Sequence, residues 1–333
     1  MQRWHTLAAY YNQRYGSRVQ KIPLDAGASC PNRDGTLSFS GCMFCNANGS
    51  GSGRAKQGDS LLQQWNYWRS IYLRDDPNTR FIAYLQSFSN TYGPSERLQQ
   101  LLQTVRQLPG CFGIAVGTRP DCLDDEKLDL LAALDCDLWL ELGLQTAHDP
   151  TLARINRGHS AASAENAVRM AAARGIAVCA HLMAGLPGEG EGHFLQSLDW
   201  ALSLPISGLK LHNVYVPKGT ELARQYAAGQ YHPLWRDEYV DLLCAALPRI
   251  PSHIVMHRLQ SDPAPGELLA PTWATDKRGL LGDLRRALGA RELWQGKFCD
   301  SPEGCPTVFL SAGCVRSNFA RVEYCQSTLP SQK

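Results

Sequence analysis

The residues best placed to do chemistry are three cysteines near the N-terminus, Cys30, Cys42 and Cys45, in the spacing C-x11-C-x2-C. Two thiolates at C-x2-C grip one metal centre because their side chains converge across a tight turn. Zinc knuckles, redox pairs and iron–sulfur sites all share that pair. Here a third Cys lies eleven residues upstream, and no fourth Cys or His stands nearby at zinc-ribbon spacing. Three thiolates suit a four-iron cluster with one iron left open better than a closed structural zinc. A partial zinc site and three core thiols are the alternatives on spacing alone. The chain has 12 Cys in all. Cys111, Cys136, Cys179 and Cys244 stand singly in apolar stretches and read as small buried hydrophobes. Cys299, Cys305, Cys314 and Cys325 follow at irregular gaps of five, eight and ten residues, which read as an incidental tail rather than a second cluster motif.

The cysteine loop leaves the end of a strand-like run, Val19–Ala26, and α/β barrels place their sites at the C-terminal ends of strands. Further β-rich runs are Arg80–Gln86, Gly113–Gly117, Leu138–Leu142, Ile176–His181 and Gly208–Val214. Helical patterns separate them, over Leu61–Leu73, Pro94–Gln107, Asp124–Leu134, Ala161–Ala173 and Gly192–Leu204, with Gly175 as a C-terminal stop. Six strands with crossovers of about 25 to 30 residues predict a parallel sheet. Six units, fewer than a full barrel's eight, predict an α/β partial (β/α)6 barrel. Beyond Gly219 the pattern loosens into helices over Glu221–Ala228, Leu234–Leu247 and Lys277–Leu288, with one more strand over His253–Leu259. The expected organisation is a core over 1–250, a strand and helix completing it over 251–298, and a Cys-containing tail over 299–333. At 333 residues with 44% hydrophobic and 19% charged, the chain can build a core and is not disordered. A net charge of +2 gives no electrostatic footprint for nucleic acid or anionic lipid. No run approaches 18 apolar residues and the N-terminus lacks an apolar signal segment, so no membrane association is expected and the cytoplasm is the expected compartment.

The stretch CPNRDGT followed by GCMFCN resembles the cluster loop of the YhcC/YtqA-like group of radical SAM proteins. The superfamily's usual spacing is C-x3-C-x2-C; the widened first gap is a feature of this group and of the catalytic subunit of Elongator. Four more segments resemble Elongator's radical SAM domain in the same order: Gly117-Thr118-Arg119-Pro120-Asp121, Glu141 to Gln145-Thr146, Asn156-Arg157-Gly158-His159, and His181 to Pro187. The match runs from roughly residue 5 to roughly residue 300.

The resemblance implies a [4Fe–4S] cluster held by Cys30, Cys42 and Cys45, with S-adenosyl-L-methionine chelating the open iron. One electron, from a donor such as flavodoxin or ferredoxin, then yields a 5′-deoxyadenosyl radical that abstracts hydrogen from an unidentified substrate. By the same resemblance Phe44 packs on the adenine, Gln145 binds the ribose, Arg157 pairs with the methionine carboxylate, and the loop Gly185–Glu189 lies on the adenine side. Gln86 and Ser87 stand where many relatives carry a Gly-Gly-Glu type motif for the methionine amine. The glycines are absent here, and the contact survives if backbone carbonyls make it. His181 and His212 are candidates to line the substrate cavity. Gly117 stands where Elongator has a glutamate. Without the motifs these residues read as strand-end polar groups, core histidines and a solvated charge. Two function classes follow: a radical SAM enzyme, with RNA modification suggested by analogy with Elongator, or an iron–sulfur regulatory protein without turnover.

Overall fold

The structure is a computed structural model that describes residues 2–49, 51 and 53–299. Cys305, Cys314 and Cys325 lie outside the described residues, and Cys299 is exposed.

Seven strands form one parallel sheet: β1 (Val19–Leu24), β2 (Arg80–Leu85), β3 (Cys111–Thr118), β4 (Asp137–Gln145), β5 (Ala177–Ala184), β6 (Gly208–Asn213) and β8 (Val255–Arg258). A two-residue strand, β7 (Val216–Pro217), pairs antiparallel with β9 (Leu268–Ala270) beside it. Each strand of the large sheet neighbours the next in chain order, so the sheet curls steadily into a half-barrel with no reversal. The seventh strand is the one expected near 253–259; it joins β6 in parallel.

Helices fill the crossovers: α1 (Leu7–Tyr15) precedes β1, α2 (Leu61–Asp75) and α3 (Ser95–Arg106) flank β2, and α4 (Asp125–Ala132) follows β3. After β4 come α5 (Asp149–Arg154) and α6 (Ala161–Ala173), after β5 α7 (Glu191–Leu202), and later α8 (Glu221–Ala227), α9 (Arg236–Ala246) and α10 (Lys277–Ala290). The local chemistry explains their limits. Ser60 and Gln63 close a capping box on α2, Ser160 accepts from the Ser163 N–H to start α6, and Gly175 follows α6 at φ +73°.

Alternation along the strands sorts the sheet into two faces. Ile22, Leu85, Ile114, Leu140, Leu142, Val178, Leu182 and Leu211 point outward and are buried in one apolar core with the helices. The opposite face carries Ile82, Tyr84, Ala115, Trp139, Ala177 and Cys179, with Lys21, Glu141 and Lys210 among them. Helix α1, which the sequence pattern does not predict, closes the lower mouth of the half-barrel. Its Tyr10 ring meets Trp139 edge-on at 5.7 Å, and the Trp139 Nε1–H donates to Tyr11 Oη at 2.9 Å. The Tyr15 hydroxyl donates to Asp137 at 2.6 Å. The chain ahead of α1 is pinned to the other end of the protein. Met256 N–H donates to His5 O at 2.8 Å, His5 N–H to Gln295 Oε1 at 2.8 Å, and Gln295 N–H to Arg3 O at 2.9 Å.

Candidate functional site

A cavity of about 520 Å³ opens at the C-terminal ends of the strands and reaches down the inward face of the sheet. Cys30, Cys42 and Cys45 share its wall with Phe44, Gln86, Gln145, Arg157, His181 and His212. Among the described residues no three His, Cys, Asp or Glu side chains close on a single metal ion. Thiolates of a polynuclear cluster bind different irons, so their donor set need not converge on one point. Burial, and then the neighbouring Cys42, push the Cys45 thiol up to about 11.

Two loops distant in the sequence form one bonded unit around these sulfurs. Asn32 Nδ2 donates to Arg157 O at 3.2 Å and reaches Cys42 Sγ at 3.5 Å. Asn156, at φ +53°, donates back to Gly41 O at 2.7 Å. Gly158, at φ +77°, must be glycine, since a Cβ there would lie 2.8 Å from Asn32 Oδ1. Arg33 donates to Cys45 O and Asn46 O at 2.6 and 2.8 Å, bracing the turn that carries the last two thiols. Arg157 is nearly fully buried: Nε donates to His159 Nε2 at 2.9 Å, Nη2 to Gly143 O at 2.8 Å, and Nη1 points at Cys42 Sγ at 3.6 Å. Burial and the Arg157 charge push His159 down to about 3, so it is neutral and accepts that bond.

Arg119 adds a second guanidinium to the same wall. It grips Asp121 through two bonds of 2.9 and 2.7 Å, while its Nη1 is buried without a partner. Against burial, which lowers it, that pair and the thiols of Cys30 and Cys42 hold Arg119 firmly charged. A soft three-sulfur donor set, with a fixed cationic donor left open beside it, fits an anionic iron–sulfur cluster.

The remaining candidates fall in different places. Gln145 lines the cavity at φ +72°, where the β4–β5 register slips past Gly143, a strained backbone held at a strand end. Gln86 lines the cavity, but Ser87 turns away. Its side chain is fully buried against Gly51, where a Cβ would stand 1.7 Å from Ser87 Oγ. The turn is made at Phe88, φ +58°, and Asn90 fixes it by donating Nδ2 to Leu85 O, Ser87 O and Gly117 O at 3.0, 3.2 and 2.9 Å. Phe44 packs beside Met43, Leu152, Ile155, Leu186 and Val214. The Gly185–Glu189 loop is absent from the cavity wall; Leu186 belongs to the apolar cluster against which Phe44 packs, and Glu189 accepts from Thr146 at 2.6 Å. Gly117 pairs in register with Glu141 on the next strand, so a carboxylate does occupy this layer of the barrel, carried by β4.

Glu141 anchors a group that sequence reasoning did not single out. Lys21 donates to its Oε1 at 2.5 Å, Lys210 to its Oε2, and His181 Nε2 lies 3.2 Å from Oε2. Burial raises the carboxyl, but Lys21 and then Lys210 outweigh it and hold it well below the usual range. Burial and Lys210 push His181 down to about 4, which makes it a neutral donor to Glu141. The motifs mark Glu141 and His181 singly but not Lys21 or Lys210, and not the group, because its members come from four different strands.

The chain matches the Radical SAM superfamily over residues 38–201 and the Radical SAM C-terminal domain over residues 206–289. It is 37% identical over 298 residues to the uncharacterized protein YtqA of Bacillus subtilis, covering 89% of this chain and 92% of that one. It is 36% identical to protein YhcC of Escherichia coli, covering 89% of this chain and 95% of that one. Among solved structures it is similar to the archaeal Methanocaldococcus infernus Elp3, with a TM-score of 0.64 at 17% identity. That likeness of fold covers 83% of this chain and 64% of the archaeal one, so the chain spans less than two thirds of it. No helix among the described residues is long and apolar enough to cross a membrane.

Proposed function

Because the chain belongs to the YhcC-like group of the radical SAM superfamily, we propose that it cleaves S-adenosyl-L-methionine reductively at a [4Fe–4S] cluster and takes a hydrogen atom from a substrate. It is a radical SAM enzyme by family and by fold. The observation that carries the finer reading is the single cavity whose wall joins three cysteines to Arg157 and Gln145. When bound, the reduced cluster and S-adenosylmethionine supply the electron transfer and the adenosyl group that abstracts hydrogen.

In this reading Cys30, Cys42 and Cys45 hold the cluster, and Arg119 and Asn32 donate toward its sulfurs. Arg157 holds the methionine carboxylate, already oriented by Gly143 O and His159. Gln145 takes the ribose and Phe44 the adenine face. Of the two strand-end residues, Gln86 takes the methionine amine, since Ser87 is absent from the cavity wall and its carbonyl accepts from Asn90. His181, tethered to Glu141, lies deeper and faces substrate. The electron donor is a flavodoxin or ferredoxin, and the setting is the cytoplasm. Likeness to Elongator makes a nucleobase in RNA one substrate to try, although a net charge of +2 supplies no basic surface for it. A regulatory cluster carrier without turnover would have no use for the Arg157 and Gln145 placement.

Anaerobic reconstitution tests the reading directly. The wild-type chain should hold about four irons and four sulfides and release 5′-deoxyadenosine under dithionite. Cys30→Ala, Cys42→Ala and Cys45→Ala should each lose the cluster. Arg157→Lys should keep it but bind S-adenosylmethionine about ten- to a hundredfold more weakly, because an ammonium cannot reproduce the planar fork. A complete cluster in Cys30→Ala, or unchanged affinity in Arg157→Lys, would overturn the assignment.

A further inference from the structure

On the inner face of the half-barrel one carboxylate is shared by two ammonium groups. Glu141 is fully buried and serves two ammonium groups, Lys21 on one oxygen and Lys210 on the other. Among the described residues no second carboxylate lies within ion-pair distance of either lysine. His257 does not relieve the excess. Its Nδ1 lies 3.1 Å from Lys21 Nζ, and an ammonium can only donate, so the ring accepts and is neutral. His181 is a neutral donor as well. Asp137, the other buried carboxylate of β4 on this face, is held by the Tyr11 and Tyr15 hydroxyls at the lower mouth, so Glu141 alone stands at ion-pair distance from the two ammonium groups. A buried ammonium without a full counter-charge is costly, and a chain that keeps one inside a cavity has a use for it.

The place of the surplus charge is informative. Gly143, His181, Lys210 and Arg258 are register partners across β4, β5, β6 and β8, so they form one layer of the sheet. Gly143 O is the acceptor that fixes Arg157, hence this layer starts directly beneath the cysteine wall. Lys210 and Arg258 both line the cavity, and Arg258 is drawn toward Asp262 at 3.2 Å. One position further along β6, across an outward residue, His212 lines the same cavity with a buried Nε2 that has no partner.

We propose that the substrate of this enzyme carries an anionic group, a carboxylate or a phosphate, that docks on Lys210 in the depth of the cavity beside His212. The proposal deepens the radical SAM reading and rests on it: an anchored anionic end would hold the rest of the substrate upward, toward the cysteine wall. Lys210 Nζ already donates to Glu141 and lies 3.2 Å from Tyr84 Oη, which leaves one of its three donors for a ligand. Burial first, and then Lys21 and Arg258, push the Lys210 ammonium down to about 8 against the pull of Glu141. Cys179 and His181 on β5 face it from the side. Anion binding should therefore weaken as pH rises through about 8, where the unliganded lysine gives up its charge.

The test uses the full chain, reconstituted and saturated with S-adenosylmethionine so that the Arg157 subsite is filled. Inorganic phosphate and succinate are titrated separately by anaerobic calorimetry, and the two arms distinguish the sources of negative charge. The proposal expects single-site binding of at least one anion, weaker by on the order of tenfold or more in Lys210→Gln and largely retained in Lys210→Arg. It expects the same wild-type binding to fall between about pH 7 and about pH 9, a measurement that stands even if Lys210→Gln does not fold. Wild-type protein that holds its cluster yet binds neither anion would overturn it, as would equal binding in a folded Lys210→Gln. Failure of the underlying reading would look different: no cluster, or no 5′-deoxyadenosine, in the wild-type sample before any anion is added.

Discussion

The two faces of the seven-stranded sheet are made by alternate residues of the same strands, yet they obey different rules. On β4, Leu138, Leu140, Leu142 and Leu144 point outward into a core of helices, and their neighbours Trp139, Glu141, Gly143 and Gln145 point inward. The outer face is redundant: many apolar side chains share one hydrophobic contact surface, and any one of them is a fraction of the whole. The inner face is not redundant, since one carboxylate serves two lysines and His181. Stability is spread over the outside of the sheet and concentrated at single groups on the inside.

The sharpest way to break this contrast is Glu141→Gln. It leaves two buried ammonium groups without their counter-charge and should cost about 3 to 5 kcal/mol in anaerobic urea unfolding. Adding Lys210→Met to it should restore part of the loss, because one of the two stranded cations is gone. A Glu141→Gln protein as stable as wild type would show that the inner charges are not coupled as the bonding implies.

Leu140→Ala, one residue away on the other face, should cost roughly 3 kcal/mol through the cavity it leaves. It should leave cofactor affinity and anion binding untouched. If it weakened either, the two faces would not be independent.

A separate test comes from pH. His181 and His159 are held neutral at about 4 and about 3, whereas in the unfolded chain they take up protons near the ordinary value of 6.5. Below that value the unfolded chain binds more protons than the folded one, so stability falls as pH drops from about 6.5 toward about 4. Glu141, depressed in the folded state, adds a further loss in the same direction as pH falls below its unfolded value near 4.5. The urea midpoint should decline smoothly over this range; a midpoint independent of pH would contradict the buried neutral histidines.

The same division decides how much could be read from the sequence. The outer face was legible, because short β-rich runs and intervening helical patterns are what it consists of, and Ala161–Ala173 was located to the residue. Strand ends were less so. Strand β4 was expected to stop at Leu142 but runs on through Gly143 to Gln145, since the backbone strain at Gln145 has no signature in side-chain pattern. Helix α1 was missed because its buried face is made of tyrosines that seal a barrel mouth, and α5 because six residues carry too little periodicity. In the site, motifs mark the cysteines, Gln145 and Arg157, because each stands in a short recognisable stretch of sequence. Lys21, Glu141 and Lys210 meet only when the curl of the sheet turns β1, β4 and β6, which do not pair with one another, toward each other, and Asn90 and Asn32 act through backbone carbonyls that any sequence supplies.

The pinning of residues 3–6 to Met256 and Gln295 has a consequence for how the chain comes into being. On a ribosome the segment that becomes α1 emerges first, but the strand and the glutamine that hold its leading end emerge more than 245 residues later. The seal that α1 makes with Trp139 and Asp137 can form once β4 is complete, but the end of the chain ahead of α1 stays unpinned during nearly all of synthesis. That last fastening is a late, long-range event of the kind that slows folding. A nascent chain halted before Val255 would have most of its sheet and a lid held only by its tyrosines.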